Sequence, residues 1–115
     1  MPAARHDVVI EEGATFDITF TYLDKDGVAI DVTGYSAKMD IKESVGGTVI
    51  DDLTSTGSEI TVGTTDGTFQ IVITATNTDA YDFDWGVYDL EITTGSTVIR
   101  LVEGRVEFKR AVTTS

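Results

Sequence analysis

The chain contains no cysteine, a single histidine and a single proline among its 115 residues. Without cysteine it cannot form a disulfide framework, a thiolate-ligated zinc site or a cysteine nucleophile. His6 is the only candidate base for a Ser-His-Asp triad, and its place near the N-terminus favours a solvated surface side chain. No Gly-x-Ser-x-Gly elbow, glycine-rich phosphate loop or histidine-rich metal spacing is present in the sequence. We therefore expect no catalytic residue, no metal site and no cofactor, and hence no enzyme.

Basic residues are also scarce, because 8 Lys and Arg stand against 20 Asp and Glu, which gives a net charge of −12. This charge repels phosphate backbones and argues against a nucleic-acid partner. It disfavours anionic membrane surfaces for the same reason. No apolar run approaches the roughly 18 residues of a membrane helix, and the first ten residues lack the apolar region of a signal peptide. If the protein leaves the cell, we expect another route, such as inside an assembled particle.

Threonine, valine and isoleucine are abundant instead, with 19, 13 and 10 copies. Their β-branched side chains are stiff at χ1 and fit a pleated sheet better than a helix. The length and the 41% hydrophobic content favour one globular domain over residues 1–115, with an ordered core at about 6–110. We expect residues 1–4 and 111–115 to be loose ends.

Apolar and polar residues alternate in segments along the whole chain, and this pattern predicts half-buried β-strands. The clearest strand is 16–22, in which every second residue is apolar. Further strands are predicted at 35–42, 48–53, 59–62, 68–75, 88–92 and 98–109. In the polar segment 77–84, Asn77 or Thr78 could cap one helical turn. The pattern predicts an all-β fold, a single antiparallel immunoglobulin-like β-sandwich of about seven or eight strands, with a small β-barrel as the alternative.

The last predicted strand changes its apolar face partway along. Ile99 and Leu101 share one face, whereas Val102, Val106 and Phe108 share the other. A β-bulge near Gly104 would bring both sets inward. The alternative is a strand covered on both faces, one of them by a neighbouring subunit.

Two clusters of carboxylates stand out: Asp24, Asp26 and Asp31 in the first, and Asp79, Asp82 and Asp84 in the second. The first surrounds a turn that ends at Gly27, does not match a calcium-binding loop and is explained by turn chemistry. The second could hold Ca²⁺ with loop carbonyls, but a solvated turn is the more common origin of such a cluster. A small hydrolase using Asp82, Asp84 and Asp89 is a third hypothesis, disfavoured because short loops rarely form a cleft.

An aromatic cluster, Tyr81, Phe83 and Trp85, precedes a predicted core strand. We favour a buried plug that closes one end of the sandwich, given the burial habits of large aromatic residues. An exposed cluster would instead stack on sugar rings or anchor a protein. The alternative function is therefore a carbohydrate- or ligand-binding module, with Trp85, Tyr81 or Tyr35 exposed in a row.

The order of short motifs along the chain is the last feature. Gly13-x-x-Phe16-x-Ile18 precedes a turn at Asp26-Gly27, and Asp31-Val32-Thr33-Gly34-Tyr35 then leads into a strand. Near the end, Gly86-Val87-Tyr88-Asp89-Leu90-Glu91-Ile92 is followed by Arg100-Leu101-Val102-Glu103-Gly104-Arg105-Val106. The chain thus resembles, over about residues 8–109, small all-β virion proteins and domains of tailed bacteriophages, in which YDLE and RL-x-EGRV strands form a C-terminal hairpin. It is also similar to N-terminal attachment domains of some phage baseplate and tail-fibre proteins.

The resemblance implies a non-enzymatic structural protein located in a bacteriophage virion. It would bind other virion proteins of the capsid, tail or baseplate, as a tail or baseplate adaptor or as a capsid decoration (cement) module. Symmetric particles reuse one surface, so we expect a homo-oligomer such as a trimer or ring. Tyr88 and Leu90 would be core residues, and Arg100 and Arg105 would pair with Glu91 or Glu103 across strands.

Overall fold

The computed structural model describes residues 3–111, and residues 1, 2 and 112–115 of the expected loose ends lie outside that range. Its elements are β1 (Ala4–Arg5), β2 (Val8–Glu11), β3 (Phe16–Thr21), β4 (Ser36–Lys42), β5 (Val49–Thr54), β6 (Ile60–Val62), β7 (Thr68–Ile73), α1 (Ala75–Asp79), β8 (Trp85–Thr94) and β9 (Thr97–Lys109). The predicted all-β sandwich is confirmed. Across the described residues the strands form two packed sheets that do not close into a barrel.

The two sheets differ in width. In the larger sheet the order is β1 and β2, then β9, β8, β4 and β5; in the smaller sheet it is β3, β7 and β6. The smaller sheet corresponds to strands B, E and D of an immunoglobulin-type sandwich, and β4, β8 and β9 correspond to C, F and G. The larger sheet therefore extends past the smaller one.

The core forms because every second residue of each strand faces the opposite sheet. β7 in the smaller sheet and β8 in the larger sheet each contribute three buried apolar residues. Ten apolar residues of the described chain have no exposed surface: Ile10, Val32, Met39, Ile41, Phe69, Ile71, Ile73, Leu90, Ile92 and Val106. The alternation visible in the sequence thus becomes the packed interior.

The N-terminal strands show a pairing that the sequence did not indicate. Both β1 and β2 run parallel to β9, with Ala4 opposite Val102 and Val8 opposite Val106. This register places Val8 and Ile10 over the core, where both are buried. The expectation of a loose end up to residue 4 is therefore wrong at Ala4, which belongs to β1.

Gly104 is the residue that allows this segment to lie so close to β9. Between β1 and β2 the backbone of His6 turns inward, and its carbonyl oxygen occupies the space that a Cβ atom on residue 104 would need. The hydroxyl of Tyr88, which lies opposite Gly104, donates a hydrogen bond to that carbonyl. Asp7 Oδ1 accepts a hydrogen bond of 2.9 Å from the Arg105 backbone N–H. Burial raises the pKa of Tyr88, so its hydroxyl stays protonated as a donor.

The predicted bulge in β9 exists, but it lies at Leu101 and not at Gly104. The register passes from Leu90 opposite Val102 to Glu91 opposite Arg100, which leaves Leu101 as the extra residue. Both Ile99 and Leu101 therefore pack against the core together with the even-numbered residues that follow. Gly104 serves the close approach of the N-terminal segment instead.

The predicted helical turn also exists, but it begins earlier than expected. Thr74 is the N-cap of α1, and its hydroxyl oxygen accepts a hydrogen bond of 3.2 Å from the Asn77 N–H. Thr78, one of the two predicted caps, is buried, and its hydroxyl donates to the Ala14 carbonyl at 2.8 Å. The sequence could not identify which residue caps the helix, because three residues of the segment 74–78 are threonine, a favoured N-cap residue.

Replacing Leu90 with alanine should lower the free energy of unfolding by about 2–5 kcal/mol, because it leaves a cavity at a fully buried position. Ile71→Ala should behave alike. Val72→Ala, on the half-buried outer face of β7, is the control and should cost clearly less. Chemical denaturation measures all three; an unchanged midpoint for Leu90→Ala would contradict the strand register.

Gly104→Ala should displace the N-terminal segment and cost about 1–3 kcal/mol, because the new methyl group meets the His6 backbone and not a flexible side chain. The displaced segment should be cut faster by trypsin after Arg5. Gly57→Ala is the matched control, since its Cβ would meet only the Glu59 carboxylate tip. Equal proteolysis rates for the two variants would refute this role of Gly104.

Candidate functional site

The outer face of the larger sheet collects most of the chain's positive charge. Alternation along each strand and the registers between strands point six of the eight basic residues to this side: Arg5, Lys38, Lys42, Arg100, Arg105 and Lys109. We call this surface the charged face. The outer face of the smaller sheet differs, because its strands present Asp17, Thr19, Thr21, Thr61, Thr68, Gln70 and Val72 and no basic residue.

A depression of about 500 Å³ lies on the charged face. Val45 and Gly46, in the turn after β4, line one side, and Arg5 of β1 lines another. Its floor consists of residues from β4, β8 and β9. The sheet thus offers a concave surface of mixed charge rather than a flat one.

The register aligns four carboxylates in a row across four neighbouring strands: Glu103, Asp89, Asp40 and Asp52. Like charges directly opposite one another destabilise a sheet. Cations from adjacent rows offset this repulsion. Arg100 Nε lies 3.0 Å from Asp89 Oδ2, and its Nη2 lies 3.5 Å from Glu91 Oε2. Lys38 Nζ lies 3.9 Å from Asp52 Oδ2.

Asp40 occupies the least favourable position in this row. Its Oδ1 atom is buried and has no hydrogen-bond partner among residues 3–111. Burial, followed by the neighbouring Asp52, raises the pKa of Asp40. Lys38, whose Nζ lies 4.0 Å from Asp40 Oδ2, opposes part of this increase. The charged face therefore holds an electrostatic cost at its centre.

The arginines pair partly as expected. Arg100 contacts Glu91, as the resemblance implied, and also Asp89. Arg105 makes no ion pair within residues 3–111; its guanidinium lies 4.6 Å from the Trp85 ring centre, a cation–π contact.

The aromatic cluster is split between the core and the charged face. Tyr81 and Phe83 are buried, and Phe83 stacks on Phe108 with ring centres 5.0 Å apart, so the plug prediction is right for these two. Trp85 is 52% exposed, so the prediction is wrong for it. β8 begins at Trp85, and the Trp85 side chain lies on the same outer face of the larger sheet as the Val87 side chain.

The acidic clusters have local partners. Asp24 Oδ1 accepts hydrogen bonds from the N–H groups of Asp26 and Val28, which is turn chemistry, and Gly27 adopts a φ of 80°. In the second cluster, the Arg110 guanidinium contacts Asp82 at 2.9 Å and Asp84 at 3.2 Å. Across residues 3–111 no group of three or more His, Asp or Glu is close enough to hold a metal ion.

The carboxylates considered for hydrolysis fall into two groups. Asp82 and Asp84 contact Arg110 at the end of β9, whereas Asp89 contacts Arg100 on the charged face. His6 is exposed, and its ring meets Phe20 edge to face at 5.8 Å. The absence of an enzymatic function stays a prediction.

Sequence comparisons with protein families and curated proteins identify no relative. A scan against protein-family models gives no match, and a search of curated proteins gives none at a significant level. Within the described part of the chain, no helix combines the length and the apolar composition that crossing a bilayer requires.

Asp40→Asn should raise the melting temperature at pH 7. The raised pKa of Asp40 means that ionisation is less favourable in the folded chain than in the unfolded chain, so the charged form destabilises the fold. The gain should shrink as the pH falls through the folded pKa and vanish below the ordinary Asp value of about 3.9, where the carboxyl is neutral in both states.

Asp31→Asn is the control of opposite sign. Hydrogen bonds from Thr33 lower the pKa of Asp31, so its charged form favours folding and its loss should slightly lower the melting temperature at pH 7. Thermal unfolding from pH 3 to pH 8 measures both variants. A lower melting temperature for Asp40→Asn at pH 7 would contradict the proposed strain in the carboxylate row.

Proposed function

We propose that the chain is a non-enzymatic structural protein of a tailed bacteriophage virion that binds other virion proteins through the charged face. In this role it attaches as a tail or baseplate adaptor or as a capsid decoration module. The observation that carries the proposal is the concentration of six of the eight basic residues, with an exposed tryptophan, on one concave sheet face. The resemblance of the motif order to that of phage virion domains supports the virion setting.

The residue types on this face suit a protein interface. Trp85, Arg100 and Arg105 belong to the types that contribute most of the binding energy in protein complexes. Trp85 is half exposed, and Arg105 already covers one side of its ring, so burial by a partner would desolvate both. The pair would act as an anchor at one end of the face.

The charge pattern supports specificity for a protein partner. The carboxylate row has Lys42 and Arg105 in the row on one side, and Lys38 and Arg100 flank Glu91 in the row on the other side. A partner must therefore match this pattern in one register. The whole chain carries a net charge of −12, which favours solubility and attracts a basic docking surface from a distance. Solubility before assembly and a fixed docking register both follow.

A carbohydrate- or ligand-binding module remains the second candidate because Trp85 is exposed, as that reading requires. Two observations weigh against it. Tyr81 is buried and Tyr35 is half-buried, so the three rings do not form an exposed row. Arg105 also occupies one face of the indole ring that a sugar would stack on.

The experiment is quantitative mass spectrometry of phage particles propagated from the host that carries the gene, purified on a density gradient and washed in salt. The chain should be present at a fixed number of copies per particle. Arg105→Glu should lower that number about tenfold, the effect of losing one interface hot spot. Lys25→Glu, the same charge change in an exposed turn outside the charged face, should not lower it.

Absence of the wild-type chain from washed particles would overturn the virion proposal. Equal incorporation of Arg105→Glu and Lys25→Glu would show that another surface docks. Saturable quenching of Trp85 fluorescence by soluble oligosaccharides, lost in Trp85→Ala, would favour the second candidate.

A further inference from the structure

The smaller sheet ends in an unpaired strand. β3 pairs with β7 along one side, and no strand of the described chain lies on its other side. β3 is six residues long, has no bulge in its register with β7, and contains no proline or lysine. Bulges, prolines and lysines are features by which proteins usually protect an open edge from pairing with another chain, and β3 has none of them.

Hydrogen-bond parity shows which backbone groups are free. The Tyr22 N–H donates a hydrogen bond of 2.8 Å to the Gly67 carbonyl, which faces β3 from the β7 side. Because every second residue of an antiparallel strand bonds to the same neighbour, residues 16, 18 and 20 also form their backbone hydrogen bonds with β7. The N–H and C=O groups of Asp17, Thr19 and Thr21 therefore point outward, away from β7. Among residues 3–111, no turn or loop forms a backbone hydrogen bond with the N–H or C=O of these three residues.

The core is incomplete along the same edge. Phe16, Ile18 and Phe20 lie opposite Ile73, Ile71 and Phe69, which are fully buried, yet all three β3 residues are only half-buried. A groove of about 430 Å³ runs beside Ile18 and Phe20 and is bounded on its other side by residues 4–6 and Leu101. An added strand would cover these apolar side chains.

We propose that the occupant of this edge is β3 of a second copy of the chain, paired antiparallel about a two-fold axis through Thr19. In that register, Thr19 faces Thr19 of the second copy, and Asp17 faces Thr21. Ile18 faces Phe20 in both directions, so each chain supplies the apolar residues that the other lacks. The two smaller sheets become one continuous sheet of six strands.

Local charges at this edge do not oppose a second copy, although two chains of the same net charge repel each other overall. The register sets no like charges opposite each other, and Asp17, the only charged residue of β3, already accepts a hydrogen bond of 3.0 Å from Gln70 Nε2. The free edge of β5 carries Asp51 and Asp52 in succession, which would repel a copy. The edge formed by β1 and β2 is interrupted at His6 and Asp7.

The pairing is expected to be weak. Six paired residues extend for only about 20 Å, and such an interface lies below the roughly 1,200–2,000 Å² of stable complexes. A dimer should therefore appear as the protein concentration rises. The inference goes beyond the proposed function and does not depend on it, because the charged face lies on the other sheet.

The test uses the absence of native cysteine. Thr19→Cys places two thiols about 5.5 Å apart at Cα across the axis, within the range that a disulfide spans. Mild oxidation should convert Thr19→Cys to a covalent dimer at least tenfold faster than Thr21→Cys, which in this register faces Asp17. Both side chains are exposed, so thiol reactivity is matched.

Light scattering over a concentration series gives the second readout. The wild-type chain should reach twice the monomer mass, and Thr19→Pro should stay monomeric while folded, because the N–H it removes points away from β7. A monomer at all concentrations, a trimer or larger ring, or equal cross-linking of Thr19→Cys and Thr21→Cys would each overturn the proposal. Loss of particle incorporation in Thr19→Pro without any dimer would assign the edge to a strand of another virion protein.

Discussion

The parallel pairing of the N-terminal segment with β9 is the constraint on which the rest of the structure depends. It requires the His6 carbonyl to enter the space over residue 104, which only glycine leaves open, and the Tyr88 hydroxyl satisfies that carbonyl in the interior. Once β1 and β2 lie on β9, they complete the core with Val8 and Ile10. They also cannot pair with β3, which therefore remains an open edge.

The two sheets consequently present different chemistry to solvent. The outer face of the larger sheet holds interleaved cations and carboxylates, and the opposing rows compensate one another except at Asp40. The outer face of the smaller sheet carries hydroxyl and amide groups and ends in free backbone donors and acceptors. One face thus suits recognition through charge, whereas the edge of the other sheet suits recognition through the backbone.

Alternation in the sequence was sufficient to predict strands at the positions of β3 to β9, because the period-two pattern of β3, β4, β7 and β8 directly reflects burial on one side. It could not predict the partner of each strand. The parallel pairing of β2 depends on the close backbone approach at Gly104, but a glycine in a strand is equally consistent with a β-bulge. The true bulge at Leu101 has no marker of its own, since leucine fits either face.

The candidate site was even less accessible from the sequence. Each outward residue of the charged face could be assigned from alternation, but the row through Asp89 and Asp40 exists only in the cross-strand register. Trp85 was expected in the buried plug because large aromatic residues are usually buried, but only Tyr81 and Phe83 of the cluster are buried. β8 begins at Trp85, whose side chain lies on the outer face together with that of Val87. The position at which a strand begins is the least predictable part of a sequence pattern.

Amide hydrogen exchange by NMR, at a concentration where the chain is monomeric, tests the placement of the N-terminal strand most directly. The His6 N–H donates to the Glu103 carbonyl and the Glu12 N–H to the Lys109 carbonyl, so the intervening Val8 and Ile10 amides should also be protected. The Thr19 and Thr21 amides should exchange rapidly. Protected Thr19 and Thr21 amides in the monomer, with rapid exchange at Val8 and Ile10, would mean that the N-terminal segment pairs with β3, and the account would be wrong.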